Sequence, residues 1–450
     1  MEVLEQPTTA PTTPATPSLD SFVAPTSQGP SWWTQLQQTA WKQYQELPFP
    51  VRNDEHFRFT DRSKFKFENL THLTPLSPSA QKEIFRISVE NRLKKQVAGR
   101  FVFGNDQLLY RQNLSAELSA KGVLWKPFSE AVEQHPELVK KHFMSKVTTL
   151  GSERFARLHQ AYLKAGSFLY IPKNVEIEFP LEAFHWIAED REMVFPHTLI
   201  IAEANAKVEI IDFFHSVSSE MGGFSTSICD LYAGPGAQVR YVATQLWGRE
   251  TCSFQLQSIT VDRDAHSKTL NLNMGGAYSR LESKSQMIGS GGTSDMLALT
   301  ISNDKQEFDQ RTYQEHIAPN TNSDLLFKNA LADDSRTIFS GMIEVDVDAQ
   351  KTDAYQSNRN LLLSDTADSN SMPGLEINAN DVRCTHGSTT SQIDDVEMFY
   401  MRSRGVPLSV ARKLFTLGFF QEVLERINDQ VLEVELLDLI DQKYSQTKSL

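Results

Sequence analysis

Ala206-Lys-Val-Glu-Ile-Ile211 and Ala237-Gln-Val-Arg-Tyr-Val242 share one local pattern, a small residue at a turn followed by a short β-type run. The same turn recurs at Ala265-His-Ser267, Gly292-Thr-Ser294, Thr321-Asn-Ser323 and Ala349-Gln-Lys351, at steps of 31, 28, 27, 29 and 28 residues from Ala206 onward. A period near 28 residues, with two or more short strands per unit, predicts a β-solenoid whose coils stack and bury a continuous core. A two-sheet sandwich also repeats its turns, but less evenly.

Outward from this repeat the pattern changes at both ends. Residues 1–31 are rich in Pro, Thr and Ser with few large apolar groups, a composition that predicts a disordered tail. From Trp32, the residues Trp33, Leu36, Ala40, Trp41 and Tyr44 fall on one helical face, and Pro48 and Pro50 stop that helix. Further helices are expected over 79–97 and 127–146, so residues 32–165 read as a mainly helical domain. The runs Phe168-Leu-Tyr-Ile171, Leu270-Asn-Leu-Asn273 and Ile343-Glu-Val-Asp-Val347 belong to a solenoid core over 166–391. Helical periodicity returns over 392–450 through Val396, Phe399, Val410, Leu414, Leu424, Val434 and Leu437. The expected fold is mainly β with α ends: a parallel β-helix between two helical domains.

A chain of 450 residues exceeds one ordinary compact domain unless part of it is an elongated repeat. The net charge of −13 disfavours a nucleic-acid partner. No apolar run approaches a membrane span, and the opening Met-Glu-Val-Leu-Glu5 lacks a secretory signal, so the expected location is cytoplasmic. Cys229, Cys252 and Cys384 are odd in number and show no CxxC spacing, which disfavours a disulfide framework and a self-contained thiolate site.

Gly289-Ser-Gly-Gly292 lacks the lysine of a phosphate loop, so ATP hydrolysis by this chain is not expected. Asp333-Asp334 and Asp394-Asp395 are the nearest approach to the paired acids of a solenoid carbohydrate enzyme, yet both lie at expected turns. The most informative stretch is Asp381-Val-Arg-Cys-Thr-His-Gly-Ser-Thr-Thr390. Alternation in a strand puts Val382, Cys384 and His386 on one face, with thiol and imidazole on the order of 7 Å apart at Cβ. That separation suits two ligands of one cluster; a packed core pair is the alternative.

Several motifs, in order, resemble the SufB/SufD family of iron-sulfur cluster assembly proteins. Pro50-Val-Arg-Asn-Asp-Glu-His-Phe-Arg-Phe-Thr-Asp61 is similar to its P-x-R-x-x-E-x-W-x-Y-T-D motif, with Phe57 and Phe59 where Trp and Tyr are usual. Gln356-Ser-Asn-Arg-Asn-Leu-Leu-Leu-Ser-Asp365, Pro373-Gly-Leu-Glu-Ile377, Cys384-Thr-His-Gly387 and Phe399-Tyr-Met-Arg-Ser-Arg-Gly405 resemble its C-terminal signature. The family's fold is a right-handed parallel β-helix between helical ends. SufB carries a cluster-building cysteine at the position of Asn358 and a His-Glu pair where this chain has His386-Gly387. Both departures point to the SufD branch, and to a SufB-like primary scaffold as the alternative.

The resemblance implies a non-catalytic scaffold subunit that pairs with a SufB-like subunit and, through its C-terminal helices, docks a SufC-like ABC-type ATPase. It further implies that His386 faces the SufB cysteine across the interface and is a transient iron ligand shared with that partner. Cys384 is a second candidate at the interface, with a buried structural thiol as its alternative. Any iron-sulfur cluster is then transient and shared, no cofactor is held permanently, and sulfur arrives indirectly from a donor. Flavin binding, and pairing with a second copy when SufB is absent, are left open by the sequence. His185, His197, His215, His266 and His316 share no spacing and are expected to be packing residues.

Overall fold

A computed structural model describes residues 22–26, 28–51, 53–93, 96–148 and 150–445. Its centre is a solenoid built from two sheets whose strands alternate along the chain. One sheet runs through Leu124–Pro127, Gly166–Ile171, His197–Ala202, Gly222–Ala233, Glu250–Val261, Tyr278–Met287, Glu307–His316, Arg336–Val345 and Asp368–Ile377. The other runs through Gln107–Gln112, Gly99–Gly104, Leu181–Ile187, Lys207–Ser216, Gln238–Leu246, His266–Asn273, Thr293–Ser302, Asn322–Leu331, Asp353–Leu362 and Arg383–Gln392. Pairing is parallel from coil to coil, and antiparallel only at the first strand pair of each sheet.

The repeat has a backbone cause. Asn205, Gly236, Asp264, Gly291, Asn320 and Lys351 each precede a strand of the second sheet with positive φ, from 54° to 79°. Glycine, asparagine and aspartate tolerate that left-handed conformation, which is why small or turn-forming residues recur there. Register then follows: Val208, Val239, Ser267, Ser294, Ser323, Ala354 and Cys384 are successive Cα partners. The sixth expected turn, Ala349-Gln-Lys351, is therefore displaced by three residues. Thr352-Asp-Ala354 occupies the equivalent position, and Lys351 takes the left-handed corner. Val382-Arg-Cys384 opens a seventh unit that the turn pattern alone does not reveal.

Three packing layers result. Inside the coils, Ile200, Cys229, Leu231, Ile210, Tyr241 and Ile259 form one core, followed by Leu281, Met296, Leu325 and Phe327, and then by Ile343, Val345 and Ala354. Outside the first sheet lie helices Ser31–Glu46 and Glu153–Tyr162, with Trp33, Tyr44, Phe155 and Tyr162 against Phe224 and Phe254. Outside the second sheet lie helices Leu408–Ile427 and Gln430–Ser445, where Phe420, Leu424, Leu436 and Ile440 cover Leu270, Leu297 and Leu326. Among the described residues no helix is long and apolar enough to cross a membrane.

Three expectations need correction. Residues 32–165 contain strands as well as helices, because Gly99–Gly104 and Leu124–Pro127 extend the two sheets. The helix expected over 79–97 is Pro78–Glu90, and that over 127–146 is divided at Pro136 into Phe128–Gln134 and Pro136–His142, since proline cannot donate within a helix. Most of the 1–31 tail lies outside the described residues, but its last part docks. Phe22 is buried, with its ring 5.5 Å from those of Phe67 and Phe224, and Tyr162 donates to the Val23 carbonyl.

Candidate functional site

The last coil decides which side chains are available. Among the described residues, Arg383–Gln392 pairs on one side only, with Asp353–Leu362, and Asp368–Ile377 pairs only with Arg336–Val345. Each leaves one edge of backbone donors and acceptors unpaired, the configuration that accepts a further strand.

His386 follows Ile210, Tyr241, Thr269, Met296, Leu325 and Gln356 in one column of Cα partners. Its six predecessors are buried inside the solenoid, yet His386 is exposed, because no coil lies beyond it. Cys384 stands two residues away in the column that ends Ser323, Ala354, Cys384, so alternation puts thiol and imidazole on the same inward face. The two residues thus stand on one strand face, with His386 exposed at the open end and Cys384 half-buried.

Cys384 is half-buried against Ile343, Val345 and Ala354. Burial, reinforced by the Asp353 carboxylate, pushes its thiol above the usual value, with the backbone at Ala354 opposing. A thiol held in its protonated form is a weaker ligand than a thiolate. Among the described residues no group of three or more His, Cys, Asp or Glu side chains is placed to hold a metal ion.

Asn358 is wholly buried one coil below the end. Its Oδ1 accepts from Asn329 Nδ2 at 3.0 Å, and its Nδ2 donates to Ser371 Oγ at 2.9 Å and Ser388 Oγ at 3.4 Å. The amide is thus part of a polar ladder inside the solenoid. A Cβ at Gly387 would meet nothing within 4 Å, so the fold does not require glycine there.

Of the other histidines singled out in the sequence, His185, His197, His215 and His316 are buried, while His266 is partly exposed. His185 is buried with its ring parallel to Phe103 at 5.0 Å, and burial pushes it down to about 3. His215 contacts Thr244 and His316 contacts Thr321 and Ser323 in the core, while His266 pairs with Asp295 at 2.9 Å. His197 sits between His159 Nε2, at 3.1 Å, and Asp230, at 3.4 Å, beneath the N-terminal helices. Asp333 occupies a positive-φ turn and Asp394 caps a helix by accepting from Val396 N, which accounts for both acid pairs as local structure.

The described residues of the Pro50–Asp61 motif form a strap across the outer face of the first sheet. Phe57 is buried beneath the Arg280 guanidinium, whose carbon lies 4.1 Å from the ring centroid. Arg280 donates to the His56 carbonyl, to Glu282 and to Asp309, while Thr60 donates to Asp309 and Asp61 N to Glu307. Sequence reading found the motif but not its partners, which lie some 220 to 250 residues away. Gln356, the residue beneath His386, was also missed as a site residue. The last coil places it 30 residues before His386, two more than the period near 28 read from the sequence, which would reach Asn358 instead.

Comparison with known proteins agrees with this architecture. Residues 185–419 match the family model described as SUF system FeS cluster assembly, SufBD core domain, and residues 27–183 match the SufBD protein N-terminal region. The chain is 26% identical over 420 residues to the iron-sulfur cluster assembly protein SufD of Bacillus subtilis (strain 168), covering 92% of this chain and 95% of that protein. It is 24% identical over 403 residues to an iron-sulfur cluster assembly SufBD family protein of Staphylococcus aureus (strain MRSA252), covering 87% of this chain and 85% of that one. With the core model spanning more than half of its length, the chain belongs to the SufBD family of SUF-system iron-sulfur cluster assembly proteins.

Proposed function

We propose that this chain is the SufD-type scaffold subunit of a cytoplasmic assembly complex, and that it performs no chemical step alone. Its terminal coil meets the terminal coil of a SufB-type partner, so that His386 faces a partner thiolate and the two share iron while a cluster is built. The observation that carries this reading is the end of the solenoid, where His386 and Cys384 share a bared inward face beside two unpaired strand edges. An imidazole and one protonated thiol are too few donors for four-coordinate iron, so the remaining ligands come from the partner and from incoming sulfide.

His386 is the principal ligand in this reading, because an imidazole binds iron through a ring-nitrogen lone pair, whereas burial disfavours the thiolate form in which Cys384 would bind. Cys384 serves chiefly to pack the last coil. A SufB-type role is disfavoured by Asn358, which fills the cysteine position with an amide engaged in the core ladder.

The C-terminal helices supply a second docking surface, suited to a SufC-type ATPase. Helix Asp395–Ser403 buries none of its residues, and Val396, Phe399 and Tyr400 are largely exposed, joined by Leu414 on the next helix. An apolar helix face left open suits a helix-in-groove contact. Co-expression with SufB-type and SufC-type subunits, followed by size-exclusion chromatography, tests the assembly. A chain that elutes alone in the presence of both would overturn it.

A further inference from the structure

We propose that Gln356 is the positioning residue for His386: on turning from Gly341 toward the open end, its side-chain carbonyl accepts the hydrogen of one ring nitrogen and leaves the lone pair of the other directed outward. The inference rests on the reading of His386 as an iron ligand, and four observations support it.

Gln356 and His386 are direct Cα partners in neighbouring parallel strands and lie on the same inward face. In-register stacking holds such side chains about 4.8 Å apart, within reach of a hydrogen bond once the longer chain bends. Gln356 is fully buried, yet its Oε1 has no hydrogen-bond partner among the described residues. Its Nε2 makes only a long contact, 3.5 Å, to the Gly341 carbonyl. A buried acceptor left without a donor is costly, so a donor within its reach is expected.

The space for this amide is made on the opposite sheet. A Cβ built on Gly341 would lie 2.5 Å from Gln356 Oε1 and 2.7 Å from Cδ, so any side chain there would expel the carboxamide. Glycine is used here for close approach, since its φ is not in the left-handed region. The preceding residue of the column, Leu325, offers no donor, and the following one is His386. A ring nitrogen of His386 is therefore the donor that the column supplies.

The chemistry explains why this matters. A neutral imidazole binds a metal through one nitrogen only when the hydrogen sits on the other, and an acceptor behind the ring fixes both tautomer and direction. A SufB-type thiolate approaching from outside would then meet iron held on a ring already turned toward it.

The test is side-chain nitrogen NMR on the full-length chain labelled in histidine, at one fixed pH where the ring is neutral, with the His386 signals assigned by their loss in His386→Ala. The expected result is one tautomer in the wild type, two in Gln356→Met, and a return to one in Gln356→Glu, which keeps the acceptor. A purely packing role for Gln356 would leave the tautomer ratio unchanged in Gln356→Met and would overturn the proposal. Mixed tautomers in the wild type would overturn it even if that variant does not fold. Failure of the underlying reading looks different: the tautomer is fixed by Gln356, but His386→Ala loads iron normally in the assembled complex.

Discussion

Arg280 Nη1 donates to Asp309 Oδ2 at 2.6 Å with both side chains wholly out of solvent, and the same guanidinium donates to Glu282 and lies over Phe57. The Phe57 ring of the strap and the carboxylates of Glu282 and Asp309 from two coils thus close on one cation. Arg280→Met keeps the stem but leaves Glu282 without its cation, while Asp309 retains Arg311 at 2.6 Å. A loss of about 3 kcal/mol is expected, together with early proteolysis within residues 50–67. Unchanged melting and an uncut strap would mean that the packing of Phe57, not the ion network, holds the segment.

The docked end of the tail gives a second prediction. Composition alone implies that residues 1–30 are dispensable, whereas the Phe22 ring packs against Tyr44, Phe67 and Phe224. Phe22→Ala should cost about 3 kcal/mol, as for other buried aromatic truncations, and deletion of 1–30 should lower the melting temperature by at least as much as that substitution does. Equal melting of full-length and truncated chains would show that the contact contributes nothing.

Asp212 supplies a pH signature inside the solenoid. It is wholly buried and accepts from Thr198 Oγ1 at 2.6 Å and Tyr241 OH at 2.8 Å, and burial pushes its carboxyl from 3.8 up to about 6 against those two hydrogen bonds. The folded state therefore holds the proton more tightly than the unfolded chain. This contribution is complete below about pH 4 and is lost as pH rises through about 6. Asp212→Asn retains an acceptor for both hydroxyls and cannot ionise. Its stability relative to wild type should be flat below about pH 4 and rise by up to about 3 kcal/mol by about pH 7. A difference that does not vary with pH would show that Asp212 is not protonated in the native state.

Phe399 tests the second docking surface without touching the core. Because helix Asp395–Ser403 buries none of its residues, Phe399→Asp should change stability by less than about 0.5 kcal/mol. Co-purification of a SufC-type ATPase should nevertheless fall at least tenfold, while pairing with a SufB-type subunit persists. Undiminished ATPase recovery would place that contact elsewhere.

The parts legible in the sequence were those written in local periodicity. The left-handed corner at Asn205, Gly236, Asp264, Gly291 and Asn320 stands one residue before each turn that carried the spacing, Ala206, Ala237, Ala265, Gly292 and Thr321, so the coil length surfaced there. The spacing failed at Lys351, where a lysine takes the corner and the apparent step shortened by three. Alternation placed Cys384 and His386 on one face from two residues of sequence. What lay hidden depends on register between distant strands: Gln356 beneath His386, the glycine at 341 that admits its amide, and Thr60 reaching Asp309. The docking of Phe22 was hidden too, since one aromatic in a polar tail carries no periodic signal.

The central claim is that His386 holds iron at the interface, and iron per assembled complex in His386→Ala tests it most directly. The side chain is exposed at the end of the solenoid, so its truncation leaves no buried cavity and the complex with SufB-type and SufC-type subunits should be recovered in wild-type yield. Iron and sulfide per complex, measured on that same preparation after assembly in cells, should fall at least tenfold, with partial recovery in His386→Cys because a thiolate also binds iron. Normal iron loading in the recovered His386→Ala complex would contradict the account.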